Sequence, residues 1–584
     1  MELVKVTIDG KTVSVPSDYT VIEAAAVANI RIPQLCYHSE LSKEGACRVC
    51  VVEIEGARAM GAACVYPVAD GMVVHTNTPD IRETRKSVVE LMLANHPQDC
   101  LFCQKNMECE LQTIAAELGI REVSYAGEKR RAELDNSNPS IVRDPNKCII
   151  CGRCIRACSE HQALDVYCHV NRGFATIVEP AFGVGLGDAV CTLCGQCVAV
   201  CPTAAICEKD DTEKVFAALA DPEKFVIVQT APAVRVALGE ALGLPPGNVV
   251  TGKMVAALRR LGFNKVFDTD FSADLTIMEE GTEFLHRLQS GGTLPMVTSC
   301  SPGWINFIEM AYPDLLPHLS TAKSPQGMFG ALTKTYWPET QGIPVENIFS
   351  VSVMPCTAKK AEAVRPQLQS NPGIPDVDAV ITTRELARMI KNMGIEFKDL
   401  PEEDYDSPLG TSSGAGSIFG VTGGVMEAAL RTVYSIVEGK EIPGVIFSPV
   451  RGLEGIKEAA VEITLDGKPL TVKLAVAHTL KNARKLMDKV RAGSADYHFI
   501  EVMACPGGCI GGGGQPQPVN KEIREQRTAA LYSVDEAKEI RQSHLNPDIQ
   551  KLYDGWLGQP CGEKSHHLLH THYKAQPREF IPND

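Results

Sequence analysis

Three cysteine-bearing segments decide how the C-terminal part of this chain must fold. They are TSCSPGW at Thr298–Trp304, VMPCTAKK at Val353–Lys360 and EVMACPGGCIGGGG at Glu501–Gly514. Their four cysteines span positions 300 to 509, and each lies within two residues of Pro or Gly, where the backbone turns sharply and approaches a ligand closely. Cysteines so far apart, in a chain without signs of secretion, indicate a buried metal cluster rather than disulfides.

The composition of the chain limits the class of protein and the kinds of partner that it can have. The chain has 584 residues, too many for one hydrophobic core, and 22 cysteines, far too many for a cytosolic protein unless they bind metal. The start, MELVKVTIDG, lacks an apolar stretch of signal-peptide length, and no run of 18 apolar residues occurs. A formal charge of −15 argues against nucleic acid as a partner. We expect a soluble, cytoplasmic metalloprotein.

The N-terminal residues predict a small iron–sulfur domain. Residues 3–15 alternate around an Asp-Gly turn and predict a β-hairpin, and residues 21–30 predict a short helix. Four cysteines follow in a loop-rich stretch with C-x10-C-x2-C-x13-C spacing, a variant of the plant-type [2Fe–2S] plan with a longer first gap. The alternatives are structural thiols or zinc. The predicted ligands are Cys36, Cys47, Cys50 and Cys64.

A second metal site follows an amphipathic stretch, residues 81–96, that predicts a helix. The segment HPQDCLFCQKNMEC supplies one imidazole and three thiolates, which would satisfy zinc as well as iron. The surrounding clusters favour iron. The segment resembles the His-ligated [4Fe–4S] module of [FeFe] hydrogenases, and the neutral imidazole should raise the reduction potential of such a cluster. The predicted ligands are His96, Cys100, Cys103 and Cys109. Residues 121–146 are polar and predict a linker.

The strongest motif is a pair of C-x2-C-x2-C-x3-C runs, the second followed by Pro202. This is the bacterial two-cluster ferredoxin pattern, in which the fourth cysteine of each run ligates the other cluster. One predicted [4Fe–4S] set is therefore Cys148, Cys151, Cys154 and Cys201, and the other is Cys191, Cys194, Cys197 and Cys158. Cys168, Cys207 and Cys561 fall outside these sets and are interpreted as unligated thiols.

From about residue 210 cysteines become rare and short apolar runs alternate with helical patterns, which predicts α/β layering. The predicted strands are residues 225–231, 295–299, 348–355, 378–382 and 498–504, and two of the predicted helices are 252–263 and 383–394. The segments MPC and TSC lie where a strand stops, a common place for chemistry in such folds. The Gly-rich run 412–431 matches neither nucleotide-binding pattern and predicts close backbone packing around the site.

The three cysteine segments resemble the signature segments of [FeFe] hydrogenases, and the resemblance extends over essentially the whole chain. The N-terminal modules also resemble those of a large subunit of respiratory complex I. The family carries an H-cluster: a [4Fe–4S] cubane bridged through a cysteine to a two-iron unit with CO, cyanide and an azadithiolate. The resemblance implies that Cys356, Cys505 and Cys509 are cubane ligands, Cys509 being the bridge, and that Cys300 passes protons.

One departure from the family pattern concerns the fourth cubane ligand. The family segment is usually TSCCPxW, and the position of its second cysteine is Ser301 here. A serine oxygen is a harder, poorer ligand for cluster iron than a thiolate. Either Ser301 ligates as an alkoxide, or Cys300 becomes the ligand, or the cubane has a weaker fourth site. An altered cubane potential is expected.

The resemblance also implies a proton path. Glu280, Glu283 and Arg287 lie on one helical face, which by itself would indicate a solvated surface with a Glu283–Arg287 pair. The family instead implies a path from Cys300 through Glu280, Ser320 and Glu283 to the surface. It also implies that Lys359 pairs with a cyanide ligand. The implied pocket residues are Ala231, Pro232, Ser324, Gln326, Met354, Phe419 and Met503. The run HHLLHTHY at 566–573 is interpreted as a surface tail.

These observations predict a multidomain α+β and α/β protein. Its expected parts are a β-grasp [2Fe–2S] domain (1–80), a His/Cys cluster domain (81–125), a two-cluster ferredoxin domain (138–210) and a two-lobed α/β catalytic domain (211–584). The expected function is reversible hydrogen activation, 2H⁺ + 2e⁻ ⇌ H2, at an H-cluster supplied by one [2Fe–2S] and three [4Fe–4S] clusters.

Without a flavin or nicotinamide motif, electrons should pass to flavin/NAD-binding and [2Fe–2S] subunits or ferredoxin in a hetero-oligomer, a class that includes electron-bifurcating enzymes. The alternative is a non-catalytic hydrogenase-like protein with an assembly or sensory role.

Overall fold

The computed structural model describes residues 2–440 and 447–576. Within these ranges the strands form two four-stranded sheets, one five-stranded sheet and two small two-stranded sheets. No helix in the described ranges is both long and apolar enough to cross a bilayer.

The N-terminal domain is a five-stranded sheet with one packed helix. Its strands are β1 (Leu3–Ile8), β2 (Lys11–Pro16), β3 (Val51–Ile54), β4 (Gly61–Ala62) and β5 (Met72–His75), and its helix is α1 (Val21–Val27). The order is β2-β1-β5-β3-β4, with β1 parallel to β5. Asp9 and Gly10 both have positive φ, as a two-residue hairpin turn requires. The predicted hairpin and helix are confirmed.

Two helices flank the loop that carries the second set of candidate ligands, α2 (Pro79–Asn95) and α3 (Glu110–Glu117). The next domain contains β6 (Ile141–Arg143), α4 (Arg153–Arg156), β7 (Tyr167–Val170), β8 (Ile177–Pro180), α5 (Gln196–Val200) and β9 (Ile206–Glu208). The helix predicted over residues 81–96 is confirmed as α2.

The linker prediction for residues 121–146 is wrong at its C-terminal end. Strand β6 lies there and pairs antiparallel with β9. Ile141 is fully buried, and the Asn138 side chain accepts hydrogen bonds from the backbone N–H groups of Ser140 and Ile141. A three-residue strand is too short to show a period in the sequence, so only its partner strand reveals it.

The C-terminal region contains two parallel-rich sheets. Its strands are β10 (Phe225–Thr230), β11 (Lys265–Asp268), β12 (Met296–Val297), β13 (Ile348–Met354), β14 (Ala379–Thr382), β15 (Ile456–Leu465), β16 (Lys468–His478) and β17 (Phe499–Met503). The first sheet, β11-β10-β13-β14, is entirely parallel, and the second has the order β12-β17-β16-β15. The five predicted strands are confirmed. Strands β11, β15 and β16 were not predicted.

Helices cover these sheets and separate them. They are α6 (Thr212–Ala220), α7 (Leu238–Ala241), α8 (Thr251–Leu261), α9 (Thr269–Ser290), α10 (Pro302–Ala311), α11 (Pro325–Lys334), α12 (Tyr336–Gln341), α13 (Ala358–Ala363), α14 (Thr383–Asn392), α15 (Gly414–Ser417), α16 (Gly424–Glu438), α17 (Leu480–Arg491), α18 (Lys521–Ala537), α19 (Pro547–Leu552) and α20 (Glu563–Leu569). Each sheet has its own buried apolar core, so the region has the two lobes expected from the sequence. Helix α9 packs against α11, α15 and α16.

The carboxyl ends of strands from both lobes point to one place. Strand β13 ends at Met354, two residues before Cys356, and β17 ends at Met503, two residues before Cys505. Strand β12 ends at Val297, three residues before Cys300. Ligand groups in such folds gather beyond the carboxyl ends of parallel strands, and the segments that carry the cysteines therefore meet between the lobes.

The surface-tail interpretation of residues 566–573 is wrong for its central part. His566, His567 and His572 are exposed, but His570 and Thr571 are each only 6% exposed. The backbone of this segment pairs with residues 321–323. Because the histidines follow no single helical face, the sequence did not indicate that only one of them turns inward.

Candidate active site and metal centres

Four thiols converge in the N-terminal domain. Cys36, Cys47, Cys50 and Cys64 are at most 7% exposed. The Cys36 thiol interacts with those of Cys47 and Cys64, and the Cys64 thiol with that of Cys50. The turn between Cys47 and Cys50 passes through Arg48 with φ 59°. Four buried thiols that lie together in this way fit the donor set of a small iron–sulfur cluster.

The second candidate site contains an imidazole, that of His96, with one ring nitrogen available to a metal. His96 Nδ1 lies 2.7 Å from the carbonyl oxygen of Pro97, while the buried Nε2 has no hydrogen-bond partner of normal geometry in the described part of the chain. Burial lowers the pKa of His96, so the ring is neutral. An Nδ1–H that donates to a carbonyl leaves the Nε2 lone pair available to a metal. Cys100 is exposed, Cys103 half-buried and Cys109 buried.

The two ferredoxin-like sets occupy separate cavities. Cys148, Cys151, Cys154 and Cys201 line a cavity of about 420 Å3. Cys158, Cys191, Cys194 and Cys197 line another of about 300 Å3. In each cavity three cysteines come from one run and the fourth from the other run. The structure thus brings together the residues that the sequence pattern places together.

Contacts between these sites arrange them in a branched order. Arg156 Nη2 donates to the carbonyl oxygens of Cys36 (2.7 Å) and Cys151 (3.2 Å). Lys105, in the loop of the second site, donates to the carbonyl oxygen of Cys201 at 2.7 Å. The first ferredoxin-like set therefore adjoins both peripheral sites, and it shares a buried core with the second set.

A cavity of about 750 Å3 lies where the strand ends of the two lobes meet. Twelve of the candidate residues from the sequence line it: Ala231, Pro232, Cys300, Ser301, Gln326, Met354, Cys356, Lys359, Phe419, Met503, Cys505 and Cys509. Cys194 of the second ferredoxin-like set lines it as well. Ser324 does not line the cavity directly but contacts Lys359.

Ser301 faces this cavity rather than the helix that it precedes. It occupies the N-cap of α10, yet its side chain makes no capping hydrogen bond, although serine is among the preferred capping residues. Its Oγ instead accepts a hydrogen bond from the N–H of Ala504 at 3.3 Å, next to Cys505. The hydroxyl thus stands in the same cavity as the three cysteines Cys356, Cys505 and Cys509.

Lys359 places a buried cation at the cavity wall. Its Nζ donates to Glu362 Oε2 (2.7 Å), Ser324 Oγ (2.8 Å) and the carbonyl oxygen of Cys300 (3.3 Å). Gln326 Nε2 also donates to Glu362, whereas Gln326 Oε1 is buried without a partner among the described residues. An ammonium and an amide held so rigidly suit an anionic, hydrogen-bonding ligand in the cavity.

Glu280 is a buried carboxyl close to this cavity, with 1% exposure. Burial and, after it, the charge of Glu283 raise its pKa to about 8. Ser320 and the Ser299 N–H partly offset this rise, yet neither oxygen of Glu280 makes a hydrogen bond of normal geometry within the described ranges. Burial, followed by the nearby Glu280, raises the pKa of Cys300 far above its ordinary value. Both groups are therefore protonated at neutral pH.

Glu283 lies one turn further along α9 and is held on three sides. It accepts hydrogen bonds from Ser320 Oγ (2.9 Å), the Thr321 N–H (3.0 Å) and Arg287 Nη2 (2.6 Å). Its side chain is 12% exposed and that of Arg287 is 13% exposed. The Glu283–Arg287 pair forms, but the carboxylate is not on a solvated face.

Several residues of the cavity were missed by sequence reasoning. Thr269, the first residue of α9, lines the wall, as do Pro302, Gly303, Pro325, Ala504, Gly508 and Gly512. Thr269 follows β11, and recognising that short strand would have placed it at a strand end. The Gly-rich run 412–431 does pack closely around the site, since a Cβ on Gly508 would lie 2.8 Å from the backbone nitrogen of Thr422.

Similarity to known proteins agrees with this arrangement. The chain is 54% identical to the NADP-reducing hydrogenase subunit HndD of Solidesulfovibrio fructosivorans, covering 99% of this chain and 100% of that protein. It is 41% identical to iron hydrogenase 1 of Clostridium pasteurianum, covering 97% and 99%. A variant of the apo [FeFe] hydrogenase HydA1 from Chlamydomonas reinhardtii has a TM-score of 0.57 and 48% identity, covering 63% of this chain and 99% of that structure.

Family models match along the chain in the same order as the candidate sites. A 2Fe–2S iron–sulfur cluster binding domain matches residues 1–79, the iron–sulfur binding region of NADH-ubiquinone oxidoreductase G residues 85–124, and a 4Fe–4S dicluster domain residues 147–205. The C-terminal domain of the iron-only hydrogenase large subunit matches residues 224–513, and the iron hydrogenase small subunit residues 521–576. The chain belongs to the [FeFe] hydrogenases and carries iron–sulfur cluster domains N-terminal to its catalytic domain.

Proposed function

We propose that the central cavity holds the H-cluster and that this chain's own residues divide into metal ligands, proton carriers and a wall that excludes water. One observation carries the proposal: Cys356, Cys505, Cys509, Ser301, Cys300 and Lys359 all line a single cavity, which Cys194 also borders. When bound, the two-iron unit supplies the chemistry that forms and cleaves the H–H bond. The wall of Ala231, Pro232, Met354, Phe419 and Met503 would keep water out, and Lys359 and Gln326 would bind polar groups of the cofactor.

Protons move along Cys300, Glu280, Ser320, Glu283 and Arg287. Glu280 suits a relay because a carboxyl with a pKa of about 8 is protonated near neutral pH and can give up that proton at small cost. Ser320 Oγ donates to Glu283 at 2.9 Å. Arg287 fixes Glu283 from the other side and stands at the solvent end of the path.

Ser301 takes the position of the fourth cubane ligand. It has no capping bond to its helix and lies beside Ala504 in the cavity, so Cys300 is left free to carry protons. The Ser301→Cys variant should shift the electron paramagnetic resonance spectrum and potential of the cubane, while Ser301→Ala should weaken its binding. If both variants left the cubane spectrum unchanged, Ser301 would not be a ligand.

The four N-terminal ligand sets would hold the accessory clusters, one [2Fe–2S] and three [4Fe–4S], which would carry electrons to the cavity. The contacts favour two peripheral entries, at Cys36–Cys64 and at His96–Cys109, that converge on the first ferredoxin-like set and continue through the second set to Cys194. The corresponding domains are residues 1–80, 81–125, 138–210 and 211–584.

The relative HndD is a subunit of an NADP-reducing hydrogenase. By that likeness, this chain passes electrons to flavin/NAD(P)-binding subunits or ferredoxin in a cytoplasmic hetero-oligomer. The purified chain alone should reduce a viologen dye with hydrogen but not NAD or NADP. Direct reduction of either nucleotide by this chain would contradict the need for a partner.

Infrared spectroscopy of the matured protein tests the proposal most directly. CO and cyanide stretching bands, together with hydrogen turnover, are expected. Iron analysis that found only the accessory clusters, with no such bands and no turnover after maturation, would favour the assembly role instead.

A further inference from the structure

The end of the chain is attached to the segment that carries Ser320. The Lys323 N–H donates to the carbonyl oxygen of Leu569, and the Thr571 N–H to that of Thr321, both at 2.7 Å. A β-bridge links Ala322 with His570 between these two bonds. Residues 569–571 therefore act as a second strand beside residues 321–323.

The His570 side chain adds two bonds to this pairing. Its Nδ1 lies 2.8 Å from Thr321 Oγ1, and its Nε2 lies 3.0 Å from Glu279 Oε2. The side chain is 2% exposed and the Glu279 side chain is fully buried. Glu279 is fixed in turn by the Tyr553 hydroxyl (2.5 Å) and the Cys561 N–H (2.6 Å). His570 thus links Thr321 to Glu279, a residue of α9 that other hydrogen bonds hold in place.

The hydrogen bond to His570 fixes the position of Thr321. Its N–H donates to Glu283 at 3.0 Å, and its neighbour Ser320 donates to the same carboxylate at 2.9 Å. The 320–321 backbone is therefore held between Glu283 on one side and His570 on the other. A shift of this backbone would lengthen the Ser320–Glu283 hydrogen bond, and hydrogen bonds weaken steeply with such changes.

We infer that His570 is a positioning residue for proton transfer: by bonding Thr321 and Glu279 it holds Ser320 in line with Glu283. This inference rests on the proposed proton path. His570 need not carry a proton itself, because no hydrogen bond joins its ring to Glu283 within the described residues.

A metal ion would be a different explanation of the same cluster. Ligand atoms of Glu279, Cys561 and His570 lie within 4.8 Å of one another, which a single zinc ion could bridge. However, both Glu279 oxygens already accept hydrogen bonds from the protein, and the Cys561 thiol lies 3.4 Å from the carbonyl oxygen of Glu279. The hydrogen-bonded arrangement is complete without an ion.

The experiment compares His570→Ala, His570→Gln and the exposed control His567→Ala in the matured full-length protein, with Glu283→Gln as reference. For His570→Ala we expect turnover to fall roughly tenfold. This is less than the rate loss of about 100-fold that a misplacement of reacting groups by about 1 Å can cause. The solvent deuterium isotope effect should rise, and the CO and cyanide bands should be unchanged. His570→Gln, which keeps a donor for Glu279, should recover part of the rate, and His567→Ala should match the unsubstituted protein.

The outcomes distinguish a failure of the proposed proton path from a failure of the positioning role of His570. If Glu283→Gln does not slow turnover, the proposed proton path fails. If Glu283→Gln slows turnover but His570→Ala does not, or lowers it only in proportion to lost infrared bands, the positioning role fails. Stoichiometric zinc that disappears in both Cys561→Ser and His570→Ala would also overturn it in favour of a metal site.

Discussion

The ferredoxin-like domain and the catalytic cavity bind metal by opposite strategies. In the former, each cysteine run occupies eleven consecutive positions, 148–158 or 191–201, and the predicted ligands that line the two cavities are the eight cysteines of these runs. In the latter, the candidate ligands follow strands from two separate sheets and include an alcohol beside the thiols, and the ammonium group of Lys359 lies at the same cavity wall. A local ligand set needs only the two cysteine runs of one small domain, whereas an assembled set exists only when both lobes have folded.

Loss of a ligand should therefore have different consequences in the two regions. Cys505→Ala should abolish the CO and cyanide infrared bands and reduce turnover beyond the about 10⁴-fold that one acid–base residue supplies, because it removes a donor from the assembled site. The accessory-cluster paramagnetic signals should remain.

Cys151→Ala is the matched control in the local site. It should remove one accessory [4Fe–4S] signal and slow turnover with external carriers while the infrared bands persist. If Cys151→Ala also eliminated the infrared bands, the two sites would not be independent in assembly.

The proposed proton path extends the comparison, since its residues belong to the assembled region alone. Glu280→Gln cannot release a proton, and turnover should fall about 100-fold or more, the lower range of acid–base contributions. In the unsubstituted enzyme, the infrared band of a protonated carboxyl should be present below, and lost above, a pH near 8, because burial raises the pKa of Glu280 to about 8.

Proton transfer through Glu280 should accordingly decline as the pH rises through that value. A titrating carboxyl band that persists in Glu280→Gln, or a midpoint near 4, would show that another group titrates or that the carboxyl is not isolated from water.

The same contrast explains what the sequence could predict. The interleaved ferredoxin sets follow from spacing, and the strands that carry Met354 and Met503 follow from continuous apolar runs. Thr269 follows the four-residue strand β11, which is recognised only through its pairing with β10 about 40 residues earlier. The inward turn of His570 likewise depends on the distant 321–323 segment, so neither could be predicted. The position of Cys194 at the cavity also depends on contacts between segments distant in sequence. The spacing of the cysteines does not show which accessory cluster site lies nearest to the cavity.

The junction between the two regions is a close backbone contact. A Cβ on Gly513 would lie 2.5 Å from the carbonyl oxygen of Cys194 and 2.6 Å from Gly195 Cα. Gly513→Ala must therefore push the 191–195 loop away from the cavity. Overpacking of this kind costs about 1–3 kcal/mol, and we expect turnover to fall roughly tenfold, measured with both a dye and a protein carrier.

Gly127→Ala is the control, because a Cβ there meets nothing within 4 Å. Full activity of Gly513→Ala, with unaltered magnetic coupling between the neighbouring clusters, would show that the contact does not govern electron delivery.

The smallest effect is expected at the peripheral site that contains an imidazole. His96, the proposed ligand, has an Nε2 that its Nδ1 contact with the Pro97 carbonyl leaves free within the described ranges. His96→Cys would replace a neutral donor by a thiolate, and the added negative charge should lower the reduction potential of that cluster. Because the contacts provide a second entry through Cys36–Cys64, turnover with a dye should change less than about twofold while the potential, measured by redox titration, shifts downward. A zinc ion retained in place of iron at this site would contradict the assignment and leave the second entry as the sole route.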